Sequence, residues 1–376
     1  MLSLLRTSLY EWHVTQHAQM AECEGWEMPK QYTSILDEYE TARKRVGLAD
    51  ISHKGRLFFW GPGAGQFLNS LLSRNIITIK PGQICHALLL NEQGGILDNL
   101  LVGHFRRETS EMSFYYIVVN AANREKDVAH FKQFLTPEIA NKPKNEVYFS
   151  DETNEQGMIV IRGPRSLELL KPLFQRDISA LPYYSGLETS LAFGERWALV
   201  FRTGCSGKEG FEIILESFFI EQFVTDLLRK GQIFGILPVG FAAMDIIRQE
   251  SAMPVYGNEL DESVTPFEAG LAHLVHLEEH DFPGSNILRD PKTATPQKIR
   301  IGLEISGDYP ACQNDEIWSE QKKIGWITSG IFSPILQKNI AMGYVSREFS
   351  QTDQVLNVKI GNNINNAVVV PLPFYR

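Results

Sequence analysis

Five short segments of the chain combine glycine, proline, carboxylate and aromatic residues more densely than the rest. For any one of them the structural alternative is a turn that joins a strand to a helix, because glycine and proline punctuate every fold. No dinucleotide-binding GxGxxG, Walker loop, GxSxG elbow or EF-hand loop accompanies them, so the chemistry of those motifs is not predicted. The segments are 25–32 (GWEMPKQY), 94–100 (GGILDNL), 202–212 (RTGCSGKEGFE), 253–271 (MPVYGNELDESVTPFEAGL) and 328–345 (TSGIFSPILQKNIAMGYV).

The composition indicates a folded, acidic protein. Hydrophobic residues make up 43% of the 376 residues and charged residues 22%, which excludes disorder as the main state. The net charge of −9 argues against a general nucleic-acid binder, although it allows a local basic pocket. No apolar run approaches the ~20 residues of a membrane span, and the apolar core of residues 1–13 is too short for a secretory signal. The four cysteines form no CxxC pair and the histidines no HExxH, so we predict no metal site, reduced thiols and a cytoplasmic location.

Hydrophobic periodicity predicts the elements that must position these segments. A period of two predicts strands, and a period near 3.6 predicts helices. Gly94 and Gly95 predict the turn of a hairpin between two of the strands. In the first part of the chain, strands are predicted at 57–60, 84–91, 97–105, 114–120, 157–162, 197–202 and 211–215, and helices at 124–135, from Phe219 to near Gly231, and at 241–249.

A Pro-, Asp- and Thr-rich stretch at 281–297 predicts a domain boundary. Everything after it has the pattern of strands, namely 299–305, 317–318, 325–328, 341–345, 356–360 and 367–370. We therefore predict an α/β (α+β) body at 1–285 and a small all-β domain at 290–376.

Taken in order, the five segments resemble the aminomethyltransferase family, the T-proteins of the glycine cleavage system. The resemblance extends from LYEWHV at Leu9 to the final PFYR at Arg376. It implies a three-domain cloverleaf around a central opening for tetrahydrofolate. Two interleaved α/β domains, the second centred on 52–136, would precede a C-terminal β-barrel-like domain. Members of the family transfer an aminomethyl group from the lipoyl arm of an H-protein to tetrahydrofolate and release ammonia, and relatives demethylate other small molecules.

The resemblance also assigns catalytic positions. GGILDNL is similar to the family pattern GGI-x-D-D-L, whose second acid is the essential carboxylate, and Asn99 stands at that position. An amide cannot accept a proton at neutral pH, and the loss of a positioned base costs ~10²–10⁴ in rate. Asp98 is a poor replacement because neighbouring strand residues point to opposite faces, and we expect it to cap a turn or face solvent. His86 occupies the place of a family Tyr, where it is either a replacement base or structural.

The remaining positions concern folate binding. Glu212 matches the Glu that hydrogen-bonds the pterin ring, and a buried carboxylate suits its paired N–H groups. Cys205 stands in the place of an aromatic residue and Met244 in that of the Arg that grips the folate tail, where ~10–150-fold in affinity is at stake. Asp245, Arg248 and Glu250 match the same helix, either functionally or as ion pairs on its surface. The other matched positions, for which core packing or fraying is the alternative, are Val118, Asn120, Tyr183, Tyr184 and Arg376.

Four changed positions in an otherwise intact scaffold indicate a re-specified pocket. We expect a tetrahydrofolate-dependent one-carbon transferase with an altered substrate or reduced activity. The alternatives are a non-catalytic paralogue that binds folate or another ligand as a sensor or partner protein, and a transferase or demethylase that has abandoned folate. The expected partners are a small-molecule donor or a lipoyl H-protein, and neither nucleic acid nor membrane.

Overall fold

The computed structural model describes residues 3–107, 110, 112–204 and 209–375. The strands are β1 (Gln19–Cys23), β2 (Trp26–Gln31), β3 (Val46–Asp50), β4 (Gly55–Trp60), β5 (Ile84–Leu90), β6 (Ile96–Arg106), β7 (Ser113–Val119), β8 (Tyr148–Asp151), β9 (Gln156–Arg162), β10 (Ser185–Ser190), β11 (Trp197–Arg202), β12 (Gly210–Glu216), β13 (Ile236–Pro238), β14 (Lys298–Ile305), β15 (Glu316–Ser319), β16 (Lys322–Ser333), β17 (Lys338–Ser346), β18 (Val355–Ile360) and β19 (Asn363–Val370). The α-helices are α1 (Tyr10–Thr15), α2 (Ile35–Lys44), α3 (Ala64–Asn69), α4 (Arg124–Phe134), α5 (Pro137–Ala140), α6 (Ser166–Leu170), α7 (Ile220–Gly231), α8 (Phe241–Glu250), α9 (Ser285–Leu288) and α10 (Pro291–Ala294).

The elements predicted before residue 281 are confirmed to within two residues. In α7, Phe223 and Leu227 are buried one turn apart, as the helical period requires. The barrel strands β16, β17 and β19 are longer than predicted. In β16 the pairing register shifts between Ile327 and Ser329, and such a bulge interrupts the period of two on which the prediction depends. The predicted boundary stretch contains the short helices α9 and α10.

The chain divides into two compact units that alternate along the sequence. The first comprises Met1–Asn69, Asn75–His86 and Leu100–Met244, and the second Ser70–Arg74, Ala87–Asn99 and Asp245–Arg376. The domain limits predicted at 285 and 290 rest on the composition of the stretch 281–297, whereas these units are defined by contacts within the chain. The predicted limits therefore stay a prediction.

Besides the two-stranded sheet β1-β2, two larger sheets contribute strands to the first unit. One has the order β10-β11-β12-β9-β3-β13, and the strands of the other follow the order β5-β6-β7-β4-β8. A shared apolar layer includes Met158, Leu199 and Phe201 of the former sheet and Phe105 and Val118 of the latter. The opposite face of the former sheet packs on α6 and α7. The strands β9, β11 and β12 are therefore covered on two sides, which explains their long apolar runs.

A closed barrel forms the main part of the second unit, with its strands in the order β14-β17-β16-β15-β18-β19. Its interior is filled by aliphatic side chains, among them Leu303, Ile317, Leu356 and Val369. Closure leaves no unpaired edge, which stabilises a small β domain. The predicted fold class, mixed α/β with a C-terminal barrel, is confirmed.

Candidate functional site

Glu212 lies in the middle of the first unit's larger sheet. It is opposite Phe201 on β11 and Val160 on β9, so the three side chains share one face. That face is the one in which Phe201 joins the apolar layer between the sheets. The carboxylate is half-buried, so this position is not an outward strand residue in open water.

Thr203 orients this carboxylate. Its hydroxyl donates to Glu212 Oε1 at 2.7 Å, and its own side chain is buried. Because the donor is buried and fixed, this hydrogen bond fixes the orientation of the Glu212 carboxylate, including the direction of its other oxygen, Oε2. Thr203 lies in the recognised segment 202–212 but carries no signal of its own in the sequence.

Arg202, the residue before Thr203, contacts both Glu209 and Tyr183. Its guanidinium bonds the Glu209 carboxylate and lies 4.9 Å from the centre of the Tyr183 ring. The Tyr183 hydroxyl donates to Glu209 at 3.3 Å. Cys205, which stands in the place of a family aromatic residue, lies outside the described residues.

The rings of Tyr184 and His86, both in the first unit, lie against each other. The two rings are 5.5 Å apart in an edge-to-face arrangement, and the backbone of Tyr184 accepts a hydrogen bond from Ile84 at 2.9 Å. Tyr183 is 42% exposed and Tyr184 is 40% exposed. Core packing, the structural alternative for this pair, is therefore wrong, and both rings are accessible to a ligand.

Val118 and Asn120 are placed by β7. Val118 is buried within the apolar layer between the sheets, in agreement with the core-packing alternative. Asn120 is half-buried and directly follows the last residue of β7, where a side chain at a strand end can turn towards a ligand.

The predicted position of Asp98 is wrong. It lies inside β6 rather than at a turn, and its side chain is fully buried. Asn99 is half-buried, and alternation puts it on the same side of the strand as Leu101. Asp98 and Asn99 are thus expected on opposite faces of β6. Because both faces are covered at this point, Asp98 is buried instead of exposed.

Helix α8 carries the next matched positions, of which Arg248 and Glu250 are largely buried, whereas the Asp245 side chain is 43% exposed. Arg248 donates to Asp245 at 2.7 Å and to Glu259 at 3.2 Å, and Glu250 is fully buried. Burial alone would lower the pKa of Arg248, but the carboxylates of Asp245 and Glu259 outweigh it and raise that pKa. Met244, one residue before Asp245, is half-buried.

Glu259 is the centre of this network, although the sequence analysis did not single it out. Its side chain is fully buried. The hydroxyls of Thr328 and Ser329 donate to Oε1 at 2.9 and 2.5 Å, and the Val255 N–H donates to Oε2 at 3.0 Å. These bonds join the segment after α8 to the barrel strand β16, which indicates a structural role. Arg376 lies outside the described residues.

The two units divide the predicted site residues between them. Those in the first unit are His86, Val118, Asn120, Tyr183, Tyr184, Glu212 and Met244, and those described in the second are Asp98 and Asn99.

A second buried network, which the sequence analysis did not find, surrounds Asp50. Its Oδ2 accepts hydrogen bonds from the Thr7 hydroxyl at 2.7 Å and His13 Nε2 at 2.9 Å, and the other His13 nitrogen is 2.8 Å from the Tyr32 hydroxyl. Burial alone would raise the pKa of Asp50, but the hydrogen bond and charge of His13, with the bonds from Ser52, lower it to about 2.

This lowered pKa predicts a loss of stability in acid. Because the pKa of Asp50 is lower in the folded protein than in the unfolded chain, its contribution is complete above pH ~4 and disappears as the pH falls towards ~2. The contribution is about 2 kcal/mol. We expect the difference in unfolding free energy between the wild type and Asp50→Asn to shrink by about that amount between pH 5 and pH 2.

Urea titrations at a series of pH values measure this difference. Asp226→Asn, which removes an exposed carboxylate of α7, is the matched control and should show almost no such change. An Asp50→Asn difference that stays constant across the series would contradict the assignment.

Comparison with known proteins now connects this geometry to a family. Residues 9–279 match the GCVT N-terminal domain, and residues 298–376 match the glycine cleavage T-protein C-terminal barrel domain. An aminomethyltransferase of Pseudothermotoga lettingae is 38% identical over 372 residues, covering 99% of this chain and 98% of the relative. One of Rubrobacter xylanophilus is 38% identical and covers 100% of this chain and 95% of its own length.

A solved structure agrees with the sequence relatives. The crystal structure of the glycine cleavage system aminomethyltransferase T of Bartonella henselae is similar with a TM-score of 0.88 at 27% identity, covering 99% of this chain and 98% of that one. The chain therefore belongs to the aminomethyltransferase family of glycine cleavage T-proteins. The predicted resemblance is confirmed, as is the prediction that the chain is an enzyme, a transferase of this family.

Two other kinds of site are absent from the part of the chain that the structure describes. Within it, no group of three or more His, Cys, Asp or Glu side chains is arranged to hold a metal ion. Nor does any helix there have the length and hydropathy needed to cross a membrane.

Proposed function

We propose that the chain is a tetrahydrofolate-dependent one-carbon transferase, acting on an aminomethyl or methyl group, with an altered substrate or reduced activity. The observation that carries this proposal is the half-buried Glu212, whose carboxylate is oriented by Thr203 on the sheet face that also carries Phe201 and Val160. A fixed carboxylate in such surroundings selects a ligand with paired N–H donors.

The residues of the first unit suit a pterin. Glu212 would bind its paired N–H groups, and the exposed rings of Tyr183 and Tyr184 offer faces and edges for stacking. Asn120 would supply an amide, whereas Val118 belongs to the apolar layer between the sheets. When bound, tetrahydrofolate supplies the nitrogen atoms that accept the one-carbon unit.

The remaining proposed site residues concern proton transfer and the binding of the folate tail. Asn99 donates and accepts hydrogen bonds but holds no negative charge, so it orients a polar group without acting as a base. His86, with its ring against Tyr184, is the side chain proposed to hold a proton near neutral pH. Met244 offers only an apolar contact, and Cys205 and Arg376 are further proposed folate contacts.

Two partners and a location belong to the same proposal. The donor is a small one-carbon compound or the aminomethylated lipoyl arm of an H-protein, as implied by the family. We place the protein in the cytoplasm because its few cysteines lack a disulfide or zinc-binding spacing.

The second candidate function is a folate- or ligand-binding paralogue without catalysis. Asn99 and Met244 favour it, because the first removes a carboxylate and the second a cation from the expected pocket. Such a protein would bind tetrahydrofolate but release no ammonia from an aminomethylated donor.

Calorimetric titration with tetrahydrofolate tests the proposal. We expect a dissociation constant in the micromolar range for the wild type and at least about tenfold weaker binding for Glu212→Gln, which loses a charge-assisted bond. Glu221→Gln, on the exposed side of α7, is the matched control and should bind like the wild type. No heat up to millimolar ligand would refute folate binding, and binding without ammonia release would favour the paralogue.

A further inference from the structure

Arg162, the last residue of β9, is a buried arginine of the first unit's larger sheet. It is 9% exposed. Its Nε is buried without a hydrogen-bond acceptor, and no carboxylate among the described residues forms an ion pair with its guanidinium. Residues 205–208, which precede the neighbouring strand β12 in sequence and lie outside the described part of the chain, are Cys, Ser, Gly and Lys, so they supply no negative side chain. Because a buried charge without a partner is costly, this guanidinium favours an acceptor that a ligand brings.

The register of the sheet places Arg162 beside Glu212. Glu212 is opposite Val160 on β9, and Arg162 lies two residues further along that strand, so both side chains leave the same face. Diagonal neighbours of this kind have Cα atoms about 7–8 Å apart and are within reach of long side chains. The two opposite charges are therefore neighbours on one face without forming an ion pair, and one ligand can bind both.

A glycine leaves space between these two charged residues. Gly210 is opposite Arg162 on β9, and its carbonyl accepts a hydrogen bond from the Thr203 N–H at 3.1 Å, so these three residues form one row across the sheet. A Cβ at Gly210 would lie 2.7 Å from Thr203 O, so this position requires glycine. The gap is bordered by Thr203, Glu212 and Arg162, and the Thr203 hydroxyl already orients the Glu212 carboxylate.

We propose that Arg162 is a specificity-determining residue of the folate site, and that it donates hydrogen bonds to the carbonyl oxygen of the pterin ring. This inference rests on the proposed function, in which Glu212 binds the paired N–H groups of the same ring. The ring carbonyl adjoins one of those N–H groups, so it lies directly beside a carboxylate that binds them. A donor next to an acceptor matches the order of groups along this edge of a pterin. The carboxylates of the folate tail lie at the opposite end of the molecule.

Calorimetric titration of the wild type and Arg162→Met with three ligands tests this assignment. Tetrahydrofolate should bind at least about tenfold more weakly to the variant, the effect expected of a lost hydrogen bond from a charged donor. 6-Methyltetrahydropterin, which has the ring but no tail, should lose the same factor. The tetrahydro form of aminopterin, in which an amino group replaces the ring carbonyl, should bind equally well to both proteins because it offers no acceptor there.

The pattern across the three ligands separates ring recognition from other roles of Arg162. A loss confined to tetrahydrofolate would assign Arg162 to the folate tail and overturn the proposal. An equal loss for all three ligands would mean that Arg162 only supports the fold, and unchanged affinities would mean that water alone satisfies its guanidinium. Arg229→Met, at an exposed arginine of α7, is the matched control and should bind all three ligands like the wild type.

Two further results complete the test. If Arg162→Met does not fold, Arg162→Lys, which keeps the charge but not the planar fork, should show the same pattern with a smaller loss. A wild type that binds no tetrahydrofolate refutes the proposed function and this assignment with it. A wild type that binds tetrahydrofolate no better than the folded Arg162 variant refutes this assignment alone.

Discussion

Replacing Asn99 by aspartate is expected to raise aminomethyl or methyl transfer at least about tenfold, since a positioned base contributes ~10²–10⁴ in rate. That range corresponds to roughly 3–5 kcal/mol of barrier. Asn99 is half-buried in β6, so the strand that supplies the side chain is already formed. The change from amide to carboxylate keeps the shape of the side chain and adds only the charge and the proton-accepting oxygen.

Ammonia release with tetrahydrofolate and an aminomethylated H-protein measures this gain, with dimethylglycine as an alternative donor. The matched control is Asn357→Asp, which makes the same chemical change at a half-buried position of the barrel strand β18 and should leave the rate unchanged. If Asn99→Asp turns over no faster than the wild type while it still binds folate, the role given to this position is wrong.

The sequence predicts the direction of side chains in β6 but not how each face is covered. Alternation places Asp98 and Asn99 on opposite sides, and the structure has one fully buried and the other half-buried. An acidic residue next to a glycine turn suggests exposure, yet the strand is covered on both sides at that point. Coverage is a property of tertiary packing, so the local pattern at 94–100 does not contain it.

The difference between local sequence pattern and tertiary packing also explains which contacts of the site residues could be predicted from the sequence. Thr203 and Glu212 lie in one recognised segment, and a hairpin between the predicted strands 197–202 and 211–215 would have brought them together. Glu259 also lies in a recognised segment, 253–271, but its partners Thr328 and Ser329 are 69 and 70 residues away in another segment, so no local pattern joins them. Long-range pairs of this kind follow from the closed barrel, whose strand order the sequence pattern does not define.

The buried network of Arg248 leads to the largest stability effect that we expect. Arg248→Met removes the positive partner of the fully buried Glu259 carboxylate and should lower the unfolding free energy by about 3–5 kcal/mol, as for other buried ion pairs that lose one member. The bonds from Thr328, Ser329 and the Val255 N–H remain, so the carboxylate keeps its hydrogen bonds but loses its counter-charge. Denaturant titrations followed by circular dichroism measure the change.

Two comparisons separate the loss of counter-charge from the loss of the arginine itself. Arg229→Met breaks an exposed ion pair with Asp226 on α7 and should cost at most about 0.5 kcal/mol, because surface pairs contribute little. Adding Glu259→Gln to Arg248→Met removes the uncompensated charge, so the double variant should be more stable than Arg248→Met alone. If the double variant is less stable instead, the destabilisation arises from lost packing of the arginine stem, and the buried pair is not what holds the segment after α8 to the barrel.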